Sequence, residues 1–311
     1  MKFAVVGVGG IGGYFGGRLA QAGQDVTFIA RGRGLEVLRR DGLSVASDLG
    51  SVSLPDVQAV AADAPAGPAD VVLMCVKTWQ LPAALELLPG LLRTGGCVMT
   101  LQNGVEAPGQ VAAVAGQNAV LPGLARIFAH LEAPGRVRHV GGPASLTFAE
   151  WDGNPSERVA ALREALTTPG IAVVPTADIW ADLWAKFLFV VPFGTLGSAT
   201  NAPIGALRSR PGTRRLLESA MGEIRAVAFQ MGVALPSDAV EQAMAFVDQQ
   251  PADGRSSLQR DLLAGRPSEL EAWSGAVVRL GQESGVPTPV HGVLYEVLAA
   301  LVPTGESSGR L

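Results

Sequence analysis

The chain opens on an apolar run, FAVVGV, that passes into a cluster of glycines and then into YFGGRLAQAG, where apolar residues recur at helical spacing. A second run, DVTFIA, follows, and DVVLMCV, CVMTLQN and AVLPGLA repeat the texture further on. Short β-branched runs of this kind read as strands, and the stretches between several of them as amphipathic helices. Their alternation predicts a parallel sheet covered by helices. From Arg136 to Glu150, RVRHVGGPASLTFAE has two alternating runs about GGP and predicts a hairpin that adds antiparallel strands at one edge. After TTPGIAVVPTAD the β texture stops. From Ile179 to Leu301 the patterns are helical, broken at SATNAPIGALRSRPG, GVALPSD, QQPADGRSS and SGVPTPV. Two domains are therefore expected, an α/β domain over 1–176 and an all-helical domain over 177–311. The last residues, PTGESSGRL, are polar and turn-forming and are expected to be loose.

Composition narrows the class. The 311 residues are 48% hydrophobic and 17% charged, which suits two globular domains, each with a core. The net charge of −4 comes without a basic block or stripe, so nucleic acid is not an expected partner. Cys75 and Cys97 lie inside apolar runs without C-x-x-C spacing, which predicts buried free thiols in a reducing cytoplasm. The first apolar run leads straight into glycines, unlike a secretory signal. The most apolar region, Phe187 to Leu196, follows Lys186 and contains Pro192 and Gly194, so it predicts a buried helix and no membrane span. His130, His139 and His291 lack ligand spacing, and no metal is expected.

The chemistry begins at the glycines. Gly7, Gly9 and Gly12 form G-x-G-x-x-G directly after a strand and at the start of a helix, with a second strand close behind. That context defines a dinucleotide site on a Rossmann-type sheet. Gly7 permits the tight turn, Gly9 lets the backbone approach a pyrophosphate, and Gly12 lets helix and strand pack closely, while the helix N-terminus offers unpaired N–H groups. Gly7, Gly9, Gly10, Ile11 and Gly12 are the candidate pyrophosphate-binding residues. Gly16 and Gly17 are expected to serve close helix–sheet contact. At the end of the second strand stands Arg31, where an acid would grip the ribose 2′-hydroxyl of NAD; an arginine accommodates the 2′-phosphate of NADP, with Arg33 close by. NADPH/NADP+ is the expected cofactor, against the plainer reading of Arg31 as a surface residue. Two later strands run into Lys77, Trp79 and Gln80 and into Gln102, Asn103 and Gly104. Ligands of open α/β sheets bind outside the carboxyl ends of the strands, so these polar clusters are expected to border the nicotinamide. Asn103 can both donate and accept there, although an Asn-Gly pair also makes a turn on its own account.

GVGGIGGYFGGRLAQAG, Arg31, VKTWQ, LQNGV, GRVRHVGG, IWADLWAKF and SSLQRDLLAGRPSELEAWSG occur in an order that resembles the ketopantoate reductases over nearly the whole chain. The resemblance implies a Rossmann domain, a helical domain, an active site in the cleft and NADPH-dependent reduction of 2-dehydropantoate to pantoate. It also implies a cytoplasmic enzyme of pantothenate biosynthesis that acts on a small-molecule oxo acid, and a homodimer through the helical domain. By position, Lys186 resembles the family's catalytic lysine, Glu269 its essential glutamate, Ser257 a substrate-binding serine and Asn103 the active-site asparagine. Lys77 and Gln80 resemble polar residues near the cofactor.

An independent argument singles out Lys186. Only Lys2, Lys77 and Lys186 are lysines, and Lys186 stands beside the helically spaced Trp180, Trp184, Phe187 and Val191. A lysine so placed, held charged by a carboxylate, suits a general acid that protonates a carbonyl oxygen during reduction. The alternative is a surface pair with Asp182. Glu269 likewise has a structural reading: Ser268 and Glu271 form an S-x-x-E capping box that would set Glu269 in the first helical turn. The chain departs from the family pattern at Val190, Gly194, Ile204 and Gly254, where polar residues are usual. Val190 then becomes a candidate substrate contact, and a bulkier or more apolar 2-oxo acid, a ketolactone or an imine stays open as substrate. A cofactor-binding regulator without turnover is the remaining alternative.

Overall fold

The structure is a computed structural model and describes residues 1–64 and 66–302. The tail expected to be loose, Pro303 to Leu311, lies outside the described residues. The chain divides into two compact units, Met1–Ile179 and a second starting at Trp180.

The strands are β1 (Lys2–Val6), β2 (Asp25–Ala30), β3 (Leu43–Ala46), β4 (Val52–Leu54), β5 (Gln58–Ala61), β6 (Ala69–Met74), β7 (Leu92–Thr100), β8 (Val120–Arg126), β9 (Ala129–Ala133), β10 (Arg136–His139), β11 (Ser145–Phe148) and β12 (Ala172–Val173). In the first unit they are joined by α1 (Gly10–Gln21), α2 (Gly32–Asp41), α3 (Leu81–Leu85), α4 (Leu88–Leu91), α5 (Ala107–Ala115) and α6 (Glu157–Leu166). An eight-stranded sheet has the order β12-β11-β8-β7-β6-β1-β2-β5. Its strands from β5 to β8 all pair in parallel, Phe3 lying opposite Val26 on one side and Val71 on the other. This is the doubly wound order of a Rossmann sheet. Both faces are covered, which is why these strands read as continuous apolar runs. Phe3, Val5, Val71 and Leu73 enter one core with Phe15 and Phe28, while Ala4, Val6, Val72 and Met74 enter the other with Leu81 and Val111.

The hairpin expected about GGP does not form. β10 pairs antiparallel with β9 across Pro134 and Gly135, and parallel with β3, in a separate four-stranded sheet ordered β4-β3-β10-β9. β11 instead joins the large sheet, antiparallel to β8 and parallel to β12. Gly141 and Gly142, with φ of 64° and 74°, therefore carry the chain from one sheet to the other. Both turn signals are real, but only the Pro-Gly turn leaves its two strands beside the β3 edge.

The small sheet accounts for the crowding of glycines in α1, which lies between the two sheets. A Cβ at Gly16 would stand 2.6 Å from the Phe28 ring on the large sheet, whereas one at Gly13 would stand 2.6 Å from Val137 on the small one. A Cβ at Gly10 would stand 2.6 Å from the carbonyl of Ala129, and one at Gly17 3.2 Å from Leu43. Glycine at these positions lets both sheets close on one helix.

The second unit comprises α7 (Ile179–Thr200), α8 (Ile204–Ser209), α9 (Pro211–Gln230), α10 (Ala239–Gln249), α11 (Ser257–Leu263), α12 (Ala276–Ser284) and α13 (Pro289–Ala299), with a π-helical turn over Glu271–Gly275 before α12. By length and composition α7 could cross a bilayer, yet more than half of it is buried inside the fold. Phe187, Leu188, Val191 and Leu196 are buried, as are Leu217, Met221, Ile224 and Val227 of α9. Pro192 cannot donate to the carbonyl of Leu188. Beyond it, Thr195 and Ser198 return their hydroxyls to the carbonyls of Val191 and Gly194, at 2.8 and 2.7 Å.

Candidate active site

The first unit gathers its candidate residues at one edge. Because β2, β1, β6 and β7 are neighbours and parallel, their carboxyl ends set Arg31, the glycine turn, Lys77 with Gln80, and Gln102 with Asn103 side by side. Backbone bonds stitch the loops together: Gly7 N donates to Ile29 O at 3.2 Å, Cys75 N to Val6 O at 2.9 Å, and Leu101 N to Met74 O at 3.0 Å. Lys77 opens a short 3-10 turn whose Gln80 side chain accepts from the Lys77 N–H at 3.3 Å. Gln102 is buried; its amide nitrogen donates to Val76 O at 3.2 Å, while its Oε1 has no hydrogen-bond partner. Asn103 beside it is half-buried and precedes Gly104, whose φ is 115°.

The three motif glycines have three different environments. Gly7 adopts φ of 95°, and a Cβ there would meet the backbone of Val76 at 2.8 Å. One at Gly12 would lie 2.0 Å from the carbonyl oxygen of Gly7, closing the strand–helix contact. One at Gly9 would meet nothing within 4 Å. The backbone of Gly9 is thus approachable just where it caps α1, and neither a side-chain cap nor an acid occupies the first turn that follows through Gly10 and Ile11. A pyrophosphate fits this end on steric and electrostatic grounds. α2 repeats the arrangement: Arg31 caps it in an extended conformation, Gly32 has φ of 52°, its first turn holds no acid, and Arg31 and Arg33 are both exposed. A phosphate on the ribose fits this end on the same grounds.

In the second unit, Lys186 is half-buried on α7 and is the only charged residue between Asp182 and the end of that helix. Val190 follows one turn later, also half-buried. Ser257 is the first residue of α11, whose cap is the buried Ser256, accepting from Gln259 N at 3.0 Å.

The capping box expected from Ser268 and Glu271 is absent. Leu270 precedes the π-turn with no side-chain cap, and Glu271 instead binds the Arg279 guanidinium and accepts from the Tyr295 hydroxyl at 2.7 Å. Glu269 therefore sits ahead of the helix, outside its first turn, as a carboxyl only 3% exposed. That burial is not what a helix-terminal surface acid requires.

One feature escaped the sequence reading. Trp273, 2% exposed, projects from the π-turn onto Gly194, where a Cβ would fall 2.3 Å from its ring. Position 194 can hold no side chain while the indole stays there. Since Gly194 lies two turns beyond Lys186, and Trp273 one turn beyond Glu269, this contact sets the two segments against each other.

The remaining titratable candidates have structural places. His139 is buried, shares a hydrogen bond with Ser47 Oγ at 2.9 Å, and is held below the ordinary imidazole range by burial and by Arg18. His291 is fully buried between Ser274 Oγ and Ala220 O, each at 3.1 Å, while His130 is exposed on β9. Burial pushes the Cys97 thiol up to about 11 and the Cys75 thiol upward too, so neither is a poised nucleophile.

A Rossmann sheet whose strand ends carry an approachable glycine turn, joined to a helical unit with a half-buried lysine and a buried glutamate, defines a nucleotide-dependent oxidoreductase. Comparison with known proteins gives the family. Residues 3–153 match the model described as ketopantoate reductase PanE/ApbA, and residues 178–302 match that of its C-terminal domain. The chain belongs to the ketopantoate reductase family. It is 29% identical to an uncharacterized oxidoreductase, YkpB, of Bacillus subtilis, over 95% of this chain and 97% of the other. It is 31% identical to the 2-dehydropantoate 2-reductase of Halobacterium salinarum, over 99% of this chain and 100% of the other. The crystal structure of 2-dehydropantoate 2-reductase from Geobacter metallireducens superposes with a TM-score of 0.89 at 28% identity, over 96% and 99% of the two chains.

Proposed function

We propose that the protein reduces a 2-oxo acid to the 2-hydroxy acid at the expense of NADPH, with Lys186 as general acid. The observation that carries this reading is the placement of Lys186: a half-buried ammonium, the one charged side chain between Asp182 and the end of α7, followed directly by the apolar run Phe187–Val191. The comparisons support the reaction class, and the names of the relatives point to 2-dehydropantoate as a first substrate to try.

Each residue then has a task. The N–H groups at Gly9, Gly10, Ile11 and Gly12 receive the pyrophosphate, and Arg31 receives the 2′-phosphate. Asn103, with Lys77 and Gln80 on the neighbouring strand end, orients the nicotinamide carboxamide. Bound there, the cofactor supplies the two electrons and hydrogen that add to the oxo carbon. Lys186 Nζ donates the proton that the oxo oxygen acquires, and its charge stabilises the negative charge developing there. Glu269, buried and acidic, favours the ammonium form and offers an acceptor to the product hydroxyl. The Ser257 hydroxyl donates to the substrate carboxylate.

The test is product formation. NADPH consumed in the presence of a 2-oxo acid is expected to yield an equal amount of 2-hydroxy acid. NADPH binding without turnover of any 2-oxo acid would replace this reading with that of a binding protein.

A further inference from the structure

The face of α7 that carries Lys186 bears on what the rest of the substrate is. Residues three, four, seven and eight positions beyond a helical residue share its face. Beyond Lys186 these are Phe189, Val190, Phe193 and Gly194, and none has a side-chain donor or acceptor. Phe189, Val190 and Phe193 are half-buried like Lys186 itself, so this part of the helix is neither packed away nor open surface. Helical side chains lean toward the N-terminus, which brings Val190 over the turn that carries Lys186.

The apolar surface is built rather than incidental. Phe189 and Phe193 stack with ring centroids 5.7 Å apart, and Phe246 of α10 meets Phe189 edge-on at 4.7 Å. On the other flank the Trp273 ring fills the space that a side chain at position 194 would take, its Cζ3 and Cε3 lying 2.3 and 3.0 Å from the Cβ position. The ring is held there by the π-turn that follows Glu269. The first two turns beyond Lys186 thus carry only hydrocarbon side chains; the polar atom beside the Cβ position of Gly194, Ser256 Oγ at 3.3 Å, already accepts from Gln259 N at 3.0 Å, and a polar side chain at position 194 is excluded by packing.

We propose that this surface selects 2-oxo acids whose chain beyond the oxo carbon is hydrocarbon, branched alkyl or aryl, over those whose chain carries a hydroxyl. The proposal rests on reduction at Lys186 as set out above and adds the identity of the remaining substituent. A hydroxyl laid on Phe189, Val190 or Phe193 gives up its water without gaining a partner from them, whereas an alkyl or aryl group gains from leaving water.

The cleanest comparison is ketopantoate against trimethylpyruvate, which is the same molecule without its terminal hydroxyl, with phenylpyruvate as the aryl case. With NADPH saturating, kcat/KM for trimethylpyruvate and for phenylpyruvate is expected to exceed that for ketopantoate by about tenfold or more. Val190→Asn, which sets an amide one turn from Lys186, is expected to shrink that ratio by about tenfold. Equal or better use of ketopantoate by the unmutated enzyme would overturn the selection while leaving the reductase reading intact. Failure with all three acids and with every other 2-oxo acid, in a protein that still binds NADPH, would overturn both.

Discussion

In the proposed reduction Lys186 and Glu269 divide the chemistry at the scale of single residues. Lys186 keeps partial access to solvent on an apolar face, as a proton donor must, while Glu269 is withdrawn from solvent altogether. Replacing Lys186 by alanine removes the proposed donor and its charge, and leaves the residues at the carboxyl ends of β1, β2, β6 and β7 unchanged in sequence. Lys186→Ala is expected to lower kcat by about a hundredfold or more while the dissociation constant for NADPH, read by cofactor fluorescence, changes little. Unchanged kcat would remove the assignment. Glu269 shows why such sites are only partly legible in sequence. The S-x-x-E pattern at Ser268 and Glu271 is a sound local signal, but Glu271 takes Arg279 and Tyr295 as partners from later in the chain.

At the scale of elements, the glycine turn and α1 separate glycines that build the fold from Gly9, the motif glycine whose Cβ position is open. A Cβ at Gly12 collides with the backbone of Gly7, whereas one at Gly9 meets nothing. Gly12→Ala is expected to destabilise the protein by about 1–3 kcal/mol or more, as overpacking does. Gly9→Ala is expected to leave stability within about 0.5 kcal/mol, as at open surface positions, and to weaken NADPH binding by obstructing the backbone. Urea unfolding and cofactor titration read the two effects, and a Gly9→Ala protein with unaltered NADPH affinity would move the pyrophosphate elsewhere. Strands buried on both faces, β1, β2, β6, β7 and β8, were legible because their apolar runs are continuous. The short strands β3, β4, β9 and β12 left no such run. The choice between the two turns flanking β10 was settled by pairing with β3, remote in sequence. The Gly194–Trp273 contact was beyond sequence reasoning for the same cause, since it joins α7 to a turn far along the chain.

The buried imidazoles give the whole molecule a pH dependence of stability. Burial pushes His291 down from the ordinary 6.5 to about 4, so the unfolded chain takes up a proton that the folded protein refuses. Stability is expected to fall as pH drops from about 6.5 toward about 4, His291 contributing at most about 3 kcal/mol over that window. His139, also lowered, acts in the same sense. Glu223 accepts from the backbone N–H groups of Val290 and His291 at 2.7 and 3.0 Å, and desolvation raises its pKa, so its effect runs the other way. In His291→Gln, which keeps hydrogen-bonding capacity without titrating, the slope of thermal stability between pH 6.5 and 5 is expected to flatten. An unaltered slope would exclude His291 as its source.

In the proposed reduction, phosphate-binding groups at the strand ends of the Rossmann sheet hold the cofactor and Lys186 of α7 supplies the proton. The most direct test of that reduction is initial-rate measurement with NADPH and with NADH, using a 2-oxo acid and quantifying the 2-hydroxy acid formed. One 2-hydroxy acid per NADPH oxidised is expected, with markedly higher kcat/KM with NADPH than with NADH, because Arg31 caps α2 and Arg33 follows in its first turn, which holds no acid. Equal use of both cofactors would contradict the role given to Arg31, and the absence of any 2-hydroxy acid would contradict the reaction itself.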